Sequence, residues 1–360
     1  MSHRNLYFCC MIIFLTACRG REHDPLAFKP PVFPETKQVT VTPLPVDFPL
    51  AYVHQMVDMG DYILCRTFID GKFLFLFKKE TGAYVKSFLP YGRGPGEAVG
   101  LPRLRLSEDK STLFVFQTTN GRSDFWSYKV KDIILNNRTL PYNEDWITLY
   151  CDEGEKYPGS VVNYFVWDNK RFLARNRLHR FEIQDTLGNT LYLYDKYPEI
   201  SFEQSSDSLS FHLSYLDVAL ELKPDRQKFV IASEVGCILE IFNITASGKI
   251  EKAIEKRFFQ PIFGHNGSFI PEKTIRGIGD CGSISVTDNL IYAIYYGKIC
   301  YLDDRDFTNI IAVFDWKGNP IRQYKLDWMI YSFFVDAQQN RCYLTGFDKN
   351  HEILMGYFDL

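Results

Sequence analysis

The residues of this chain that are suited to ligand chemistry are concentrated in one long segment, residues 258–283. It combines aromatic rings with an imidazole, amides and two cationic groups. Such mixtures suit a glycan or peptide surface, and long loops on a rigid scaffold commonly carry function. The alternative is that the phenylalanines only pin the loop over the edge of a sheet. We predict that the binding residues are Phe263, His265, Asn266, Lys273 and Arg276.

The histidines and acidic residues form no local catalytic or metal-binding pattern. The chain contains no His-Glu-x-x-His or Gly-x-Ser-x-Gly motif, and the acidic group at residues 303–306 lacks the glycine and the terminal glutamate of an EF-hand. A ring-shaped fold could still bring His54, His212 and His265 together at its axis, although a solvated or core role suits each of them. We therefore predict no catalytic residues, no metal and no cofactor.

A glycine-rich stretch at residues 91–97 reads as a sharp corner between two apolar segments. A P-loop would need Gly-Lys-Ser/Thr leading into a helix, whereas the residues that follow here alternate as in a strand. Glycines and proline at this spacing let the chain reverse. We interpret the following residues as a structural turn: Gly92, Gly94, Pro95, Gly96 and Glu97.

The N-terminus has the features of an export signal. Arg4 is followed by an apolar run at residues 6–17, which is too short to cross a bilayer of about 30 Å, and then by Cys18. The sequence Leu-Thr-Ala-Cys at residues 15–18 resembles the bacterial lipobox. This resemblance implies cleavage before Cys18 and lipid attachment to it, and Arg19 in place of aspartate favours the outer membrane. An ordinary signal peptide with an incidental Cys18 is the alternative.

Composition separates a tether from a large body. Residues 19–49 contain seven prolines, which favour extended chain, so we predict a signal peptide at 1–17, a tether at 18–37 and one domain at 38–360. A formal charge of −3 without a long basic block argues against a nucleic-acid partner. The cysteines form no Cys-x-x-Cys pair, so buried free thiols are favoured over a disulfide framework, although an even number in an exported chain leaves disulfides open.

The body repeats one unit about six times. Each unit contains a polar tight turn, a strand that we predict to be inner, a second strand, and a hairpin into an outer strand. The tight turns lie near residues 61, 109, 169, 225, 288 and 337. Four-stranded units that cannot bury both faces alone must stack, and six around an axis close into a ring. The sequence therefore predicts an all-β, six-bladed propeller of four-stranded antiparallel blades.

Both ends of the chain are predicted to close the ring. Residues 38–46 alternate between apolar and polar side chains, and the chain ends on an apolar strand. We expect the early strand to join the last blade. A β-sandwich is the competing architecture, but it does not explain the repeated order of turn, strand and hairpin.

Three stretches resemble a known family. They are the corner at residues 92–97 (Gly-x-Gly-Pro-Gly-Glu), residues 288–292 (Asp-Asn-Leu-Ile-Tyr) and residues 296–298 (Tyr-Gly-Lys). Together with the repeat, they resemble the TolB-like six-bladed propeller lipoproteins of Bacteroidetes, over nearly all of the mature chain. The resemblance implies a propeller of the cell envelope, in a family mostly of unassigned function, and it supplies no catalytic residues.

From these observations we predict a lipid-anchored protein in the envelope of a Gram-negative bacterium. It would act as a binding or scaffolding module with a protein or glycan partner, held to the membrane through Cys18. The alternatives are a metal-dependent enzyme of the lactonase or lyase type, with its site in the axial channel, and a purely structural envelope protein.

Overall fold

The computed structural model describes residues 28–94, 96–119, 122–135, 147–150, 161–167, 171–176, 180–185, 189–198, 218–233, 236–259, 273–278, 283–301 and 307–360. Regular structure in these ranges is β-strand apart from one short helix, α1 (Val130–Leu135). The strands are rich in aromatic and β-branched residues, which fit pleated and half-buried surfaces.

Two short strands precede the blades: β1 (Thr36–Val39) and β2 (Thr42–Pro43). Blade 1 consists of β3 (Gln55–Asp58), β4 (Tyr62–Ile69), β5 (Lys72–Lys78) and β6 (Tyr84–Pro90). Blade 2 consists of β7 (Arg103–Leu106), β8 (Thr112–Thr119), β9 (Arg122–Lys129) and β10 (Ile147–Tyr150). Blade 3 consists of β11 (Val161–Val166), β12 (Arg171–Asn176), β13 (Phe181–Asp185) and β14 (Thr190–Tyr194).

Blade 4 consists of β15 (Val218–Leu222), β16 (Lys228–Ser233), β17 (Ile238–Ile244) and β18 (Ile250–Arg257). The strands of the last two blades are β19 (Lys273–Ile278), β20 (Ile284–Val286), β21 (Leu290–Tyr301), β22 (Thr308–Asp315), β23 (Pro320–Asp336), β24 (Arg341–Phe347) and β25 (Ile353–Asp359). These two blades share one sheet because β23 pairs with β22 along its first part and with β24 along its second.

The blades close into a ring of six. The first strand of each blade contacts the first strand of the next, in the order β3, β7, β11, β15, β20 and the second part of β23, which returns to β3. Neighbouring strands within the blades are antiparallel. The predicted six-bladed propeller is therefore confirmed, and the β-sandwich is not the architecture.

The N-terminal strand seals the ring, as predicted. β2 pairs with β25, the third strand of blade 6, while β1 runs parallel to β23 on the outer edge of blade 5. The two strands are separate because the Val41 amide donates a hydrogen bond to the Asp327 carboxylate, 3.0 Å away, instead of to a strand. Chain from both ends thus contributes to blade 6.

One detail of the predicted unit is wrong. The strands that we expected to be inner, such as residues 62–65 and 113–116, are the second strands of their blades. The innermost strands precede the tight turns. Two of them, β3 and β7, have only four residues each, which is too short for the pattern alone to fix the order of the strands within a blade.

The core lies between neighbouring blades, since each sheet buries its two faces against the adjacent sheets. Leu64 and Leu76 of blade 1, for example, pack in one cluster with Leu113 and Trp126 of blade 2. The structure describes three cysteine thiols, and all three are buried in this core. As predicted, these are buried free cysteines: Cys65, Cys237 and Cys342.

The propeller has two different ends. At one end, the first strand of each blade turns into the second strand, and we call this end the turn face. In blade 1 this turn is closed by a hydrogen bond from the Met59 amide to the Tyr62 carbonyl (3.0 Å). We call the opposite end, at which the chain passes from one blade to the next, the connection face. The short β4–β5 turn at residues 70–71 also lies at the connection face, because β4 runs away from the turn face.

Part of the predicted tether contacts the body. The Lys29 amide donates to the Arg257 carbonyl (2.9 Å), and the Phe33 ring packs 5.6 Å from the rings of Tyr295 and Phe314. Residues 28–37 therefore line blades 4 and 5. Residues 1–27 lie outside the described ranges, and the boundaries 1–17, 18–37 and 38–360 stay predictions.

Candidate functional site

The backbone of the glycine corner, residues 91–97, folds around the Glu97 carboxylate. The Gly94 amide donates to Glu97 Oε2 (2.7 Å), and the Gly92 amide donates to the Ala98 carbonyl (2.9 Å). A Cβ atom on Gly92 would stand 2.0 Å from Glu97 Oε2, so a larger residue there would displace the Glu97 carboxylate. The carboxylate thus fills the place that a bound anion would need. Pro95 lies outside the described residues.

The structure describes only part of the predicted binding loop. Phe263, His265 and Asn266 lie outside the described residues, and the side chain of Lys273, the first residue of β19, is also not described. Arg276 is half-buried, with its guanidinium carbon 4.4 Å from the centre of the Tyr296 ring.

The strand that carries Lys273 and Arg276 projects from the connection face. β22 pairs with β21 only along residues 290–294, whereas β19 pairs with residues 295–301 of the same strand. Beyond residue 294 the two strands therefore form an extension of blade 5. The predicted role of these residues in binding is not tested by this geometry.

A second group of aromatic residues meets beside this extension. The Tyr52 ring lies 4.5 Å from the Tyr331 ring and 4.4 Å from the His54 ring. The Phe307 ring lies 5.1 Å from both Tyr331 and Phe347. We call these five residues the Tyr52 cluster. They come from blades 5, 6 and 1 and share the connection face.

The Tyr52 cluster depends on a β-bulge that presents Tyr331. In the pairing of β23 with β24, Ile330 is opposite Gly346 and Ser332 is opposite Thr345, so Tyr331 has no partner in the ladder. A Cβ atom on Gly346 would stand 2.0 Å from the Met329 carbonyl oxygen. Glycine at 346 therefore permits the bulge, and the bulge turns Tyr331 towards its aromatic neighbours.

The other side of the cluster is fixed by β4. The Thr67 hydroxyl donates to the Tyr52 carbonyl (2.7 Å), and the His54 amide donates to the Arg66 carbonyl (2.9 Å). Arg66 is buried and donates through Nη1 to the Pro102 carbonyl of blade 2 (3.0 Å). Tyr52 and His54 are thus held against a rigid strand.

The titratable groups of the Tyr52 cluster are uncharged near neutral pH. Burial, together with the charge of Arg66, lowers the pKa of His54 to about 4. Burial also raises the pKa of the Tyr331 phenol. Tyr52 is 42% exposed, while Phe307, Tyr331 and Phe347 are half-buried. The cluster therefore offers apolar rings with hydroxyl groups and a neutral imidazole at the surface.

The axial channel contains charged side chains instead. Arg105 Nη1 lies 2.5 Å from Glu221 Oε1, and Arg105 Nη2 donates to the Leu220 carbonyl (2.8 Å). Arg105 belongs to blade 2 and Glu221 to blade 4, which are not neighbours, so this ion pair crosses the channel. Burial raises the pKa of Glu221, although the nearby Arg105 opposes the shift.

The remaining sequence-based candidates are not brought together by the described structure. In the described ranges, no group of three or more His, Cys, Asp and Glu side chains is placed to hold a metal ion. His54 belongs to the Tyr52 cluster, whereas His212 and the acidic residues 303–306 lie outside the described ranges. No helix within those ranges has the length and the hydropathy of a membrane span.

Sequence reasoning missed the Tyr52 cluster. Its members come from residues 52 to 347, so no local motif joins them. The available signal was weak: Phe307 and Phe347 lie at ends of strands, where a propeller exposes its blade edges, and Tyr331 lies at a bulge within β23. Only the order of the blades around the ring shows that these ends meet.

Comparison with known proteins places this architecture among solved propellers. A protein described as exported, from Bacteroides fragilis, is 12% identical, with 90% of this chain and 99% of that chain covered and a TM-score of 0.52. A member of the DUF4221 family from Bacteroides vulgatus is 13% identical, with 88% and 97% covered and a TM-score of 0.55. The β-propeller domain of Cps50 (Swd1) from Myceliophteria thermophila is 8% identical, with 87% and 98% covered and a TM-score of 0.52.

These identities are low, so the three structures are similar to this chain in fold alone. A search of curated protein sequences finds no relative. The TolB-like 6-blade propeller-like family matches residues 32–338, which is most of the chain. This protein therefore belongs to the TolB-like 6-blade propeller-like family.

Proposed function

We propose that this protein is an exported, lipid-anchored propeller of the bacterial envelope that binds a protein or a glycan through its connection face. The export signal and the Leu-Thr-Ala-Cys sequence at residues 15–18 support export and lipid anchoring, and Arg19 favours the outer membrane. Two structurally similar proteins come from Bacteroides, and one of them is described as exported.

The observation that carries the proposal is the Tyr52 cluster. Partly exposed aromatic rings with polar tips supply much of the energy of recognition at interfaces, because they bury a large area at little cost in side-chain entropy. Tyr52 and Tyr331 have this character, and both are fixed by the backbone of rigid strands. The uncharged surface favours a ligand that presents apolar or hydroxylated patches.

The test compares capture by the native protein with capture by a double variant, Tyr52→Ala with Tyr331→Ala. Protein partners are measured by cross-linking in envelope fractions of the source bacterium, and glycan partners by binding to an array. Truncating an aromatic hot spot costs about 2 kcal/mol or more, so we expect at least about a 30-fold loss of affinity. Thermal unfolding, measured for each protein, should change only modestly, since Tyr52 is 42% exposed and Tyr331 is half-buried.

The matched control replaces two exposed apolar residues of blade 3, Leu191→Ala with Leu193→Ala. Leu193 is 42% exposed, as Tyr52 is, but it lies on the outer strand β14. This variant should bind like the native protein. Equal capture by all three proteins would contradict a binding role for the Tyr52 cluster, and a signal from only one of the two assays would identify the class of ligand.

The anchor is tested separately with Cys18→Ala. In the native protein, we expect radioactive palmitate to be incorporated and the protein to sediment with membranes. In the variant, both should be lost, because several acyl chains are what makes such an anchor stable. Unlabelled native protein in the soluble fraction would contradict lipid anchoring without affecting the binding proposal.

A further inference from the structure

One arginine at the inner edge of blade 2 lacks, within the described ranges, the partners that buried polar groups require. Arg103 Nη1 is buried, and it has no hydrogen-bond partner among the residues that the structure describes. Within the part of the chain that the structure describes, Arg103 also forms no ion pair. Leaving a buried donor unsatisfied costs about 1–3 kcal/mol, and more for a charged group, so such a donor calls for an explanation.

The position of Arg103 gives it access to the axial channel. Arg103 and Arg105 lie on the same face of β7, because side chains two residues apart share a face, whereas Leu104 packs into the core between blades 1 and 2. Arg105 reaches across the channel to Glu221. Arg103 is the first residue of β7, so it lies nearer the connection face than Arg105 does.

Among the described residues, the charges of this part of the channel are not balanced. Arg105 and Glu221 compensate each other, with 2.5 Å between Nη1 and Oε1, while Arg103 remains without a carboxylate partner in the described ranges. The Arg103 side chain as a whole is half-buried, so part of it is accessible. A guanidinium is a planar fork of N–H donors that matches the oxygens of a carboxylate or phosphate.

We propose that Arg103 forms a binding site for a small oxyanion, a carboxylate or phosphate group, in the axial channel at its connection-face end. The Arg105–Glu221 pair forms the floor of this site and keeps Glu221 away from Arg103. A modest rotation of the Arg103 side chain presents Nη1 to the bound oxygens. The site is independent of the Tyr52 cluster and goes beyond the binding function proposed for it.

The experiment is isothermal titration calorimetry of the purified full-length protein with four probes. Inorganic phosphate and acetate supply the two oxyanions alone, D-glucuronate supplies a carboxylate on a sugar, and D-glucose is its neutral counterpart. We expect binding of at least one anion at millimolar concentration and no binding of D-glucose. Preference for D-glucuronate over acetate would show that the anionic group belongs to a sugar. Preference for phosphate over both carboxylates would show that the site takes a phosphate group.

The variant Arg103→Met should weaken anion binding about tenfold or more, because a charge-assisted hydrogen bond is lost. Arg103→Lys should retain part of the affinity, since it keeps the charge and loses the fork. The matched control is Arg93→Gln, which removes the same charge from an exposed position at the glycine corner of the connection face. It should bind like the native protein.

Thermal unfolding distinguishes a binding role from a structural one. Without ligand, Arg103→Met should unfold at the native temperature or above it, because the replaced side chain makes no hydrogen bond in the described structure. With the anion, only the native protein and Arg103→Lys should be stabilised. The proposal is overturned if the native protein binds no anion, if Arg103→Met binds as tightly as the native protein, or if Arg93→Gln loses as much affinity.

Discussion

The two faces of this propeller use different chemistry at their junction between blades 1 and 6. At the turn face, Lys79 Nζ lies 2.5 Å from Asp58 Oδ1 and 2.9 Å from Asp336 Oδ2, with little access to water. At the connection face, the same blades contribute Tyr52 and Tyr331, which are uncharged and partly exposed. One face satisfies its polar groups internally, and the other leaves aromatic surface available.

This difference supports the proposal that the turn face stabilises the ring and that the connection face binds the ligand. Lys79, Asp58 and Asp336, which we call the Lys79 network, are far apart in sequence and meet at the seam between blades 1 and 6, where the ring closes. Their charges neutralise one another. The Tyr52 cluster crosses the same seam but keeps ring faces at the surface. We therefore expect changes at the turn face to alter stability, and changes at the connection face to alter ligand binding.

The largest expected effect is that of Lys79→Met. Burial lowers the pKa of Lys79, but its hydrogen bonds to Asp58 and Asp336 outweigh burial, and the net shift is upward. Removing the cation leaves two carboxylates beside each other without their common partner. We expect the free energy of unfolding to fall by about 3–5 kcal/mol, as measured by urea denaturation.

Lys110→Met is the control for that experiment. Lys110 also pairs with Asp58 (2.6 Å), but its side chain is 47% exposed, so its loss should cost no more than about 1 kcal/mol. Ligand binding by folded Lys79→Met should equal that of the native protein. Similar costs for the two lysines would show that burial does not set the strength of the seam.

A smaller effect is expected from Gly346→Ala, which should affect both properties. The new Cβ would stand 2.0 Å from the Met329 carbonyl oxygen, so the bulge at Tyr331 must shift. Overpacking of this kind costs about 1–3 kcal/mol. Urea denaturation should show that loss, and the capture assay should show weaker binding, because Tyr331 is displaced from Tyr52.

Gly100→Ala is the matched glycine control. A Cβ at Gly100 would meet nothing within 4 Å, and the residue also lies on the connection face. It should leave stability and capture near native values. If Gly346→Ala lowered stability but left capture unchanged, the bulge would not be what positions the ligand-binding surface.

The smallest effect concerns pH and His54. The pKa of His54 is about 4 in the folded protein and 6.5 in the unfolded chain, so the unfolded state binds the proton first as pH falls. The stability that neutral His54 contributes is complete above pH 6.5 and is lost between pH 6.5 and about 4. Urea midpoints measured at pH 7 and pH 4.5 should fall less for His54→Gln than for the native protein.

The control for this titration is His351→Asn, an exposed histidine whose backbone has a φ of 62°, which asparagine tolerates. Its pH dependence should match that of the native protein. An identical fall in all three proteins would mean that His54 is not the group that couples stability to pH in this range.

The sequence was sufficient for the architecture because the signals of a propeller are local and repeated. Polar turns such as those near residues 225 and 288 recur at blade intervals. Of residues 38–46, which are predicted to join the last blade, Thr42 and Pro43 do so, whereas Gln38 and Val39 pair with blade 5. The order of the strands within a blade was predicted wrongly, because inner strands such as β3 and β7 have only four residues each.

The candidate sites were less accessible to sequence reasoning. The Tyr52 cluster joins residues 52 and 331, whose proximity exists only once the ring has closed. The Arg105–Glu221 pair depends on the spacing of blades 2 and 4 across the axis. The predicted site on residues 258–283 followed loop length and composition, and of its five residues only Arg276 has a described side chain.

The central claim is that the connection face, and not the turn face, receives the ligand. It is tested most directly by chemical labelling of tyrosines, with and without the captured ligand, followed by mass spectrometry. We predict that labelling of Tyr52 and Tyr331 falls on binding, while labelling of Tyr62 and Tyr84, which lie at the turn-face ends of β4 and β6, is unchanged. Protection of Tyr62 and Tyr84 with unaltered labelling of Tyr52 and Tyr331 would contradict the claim.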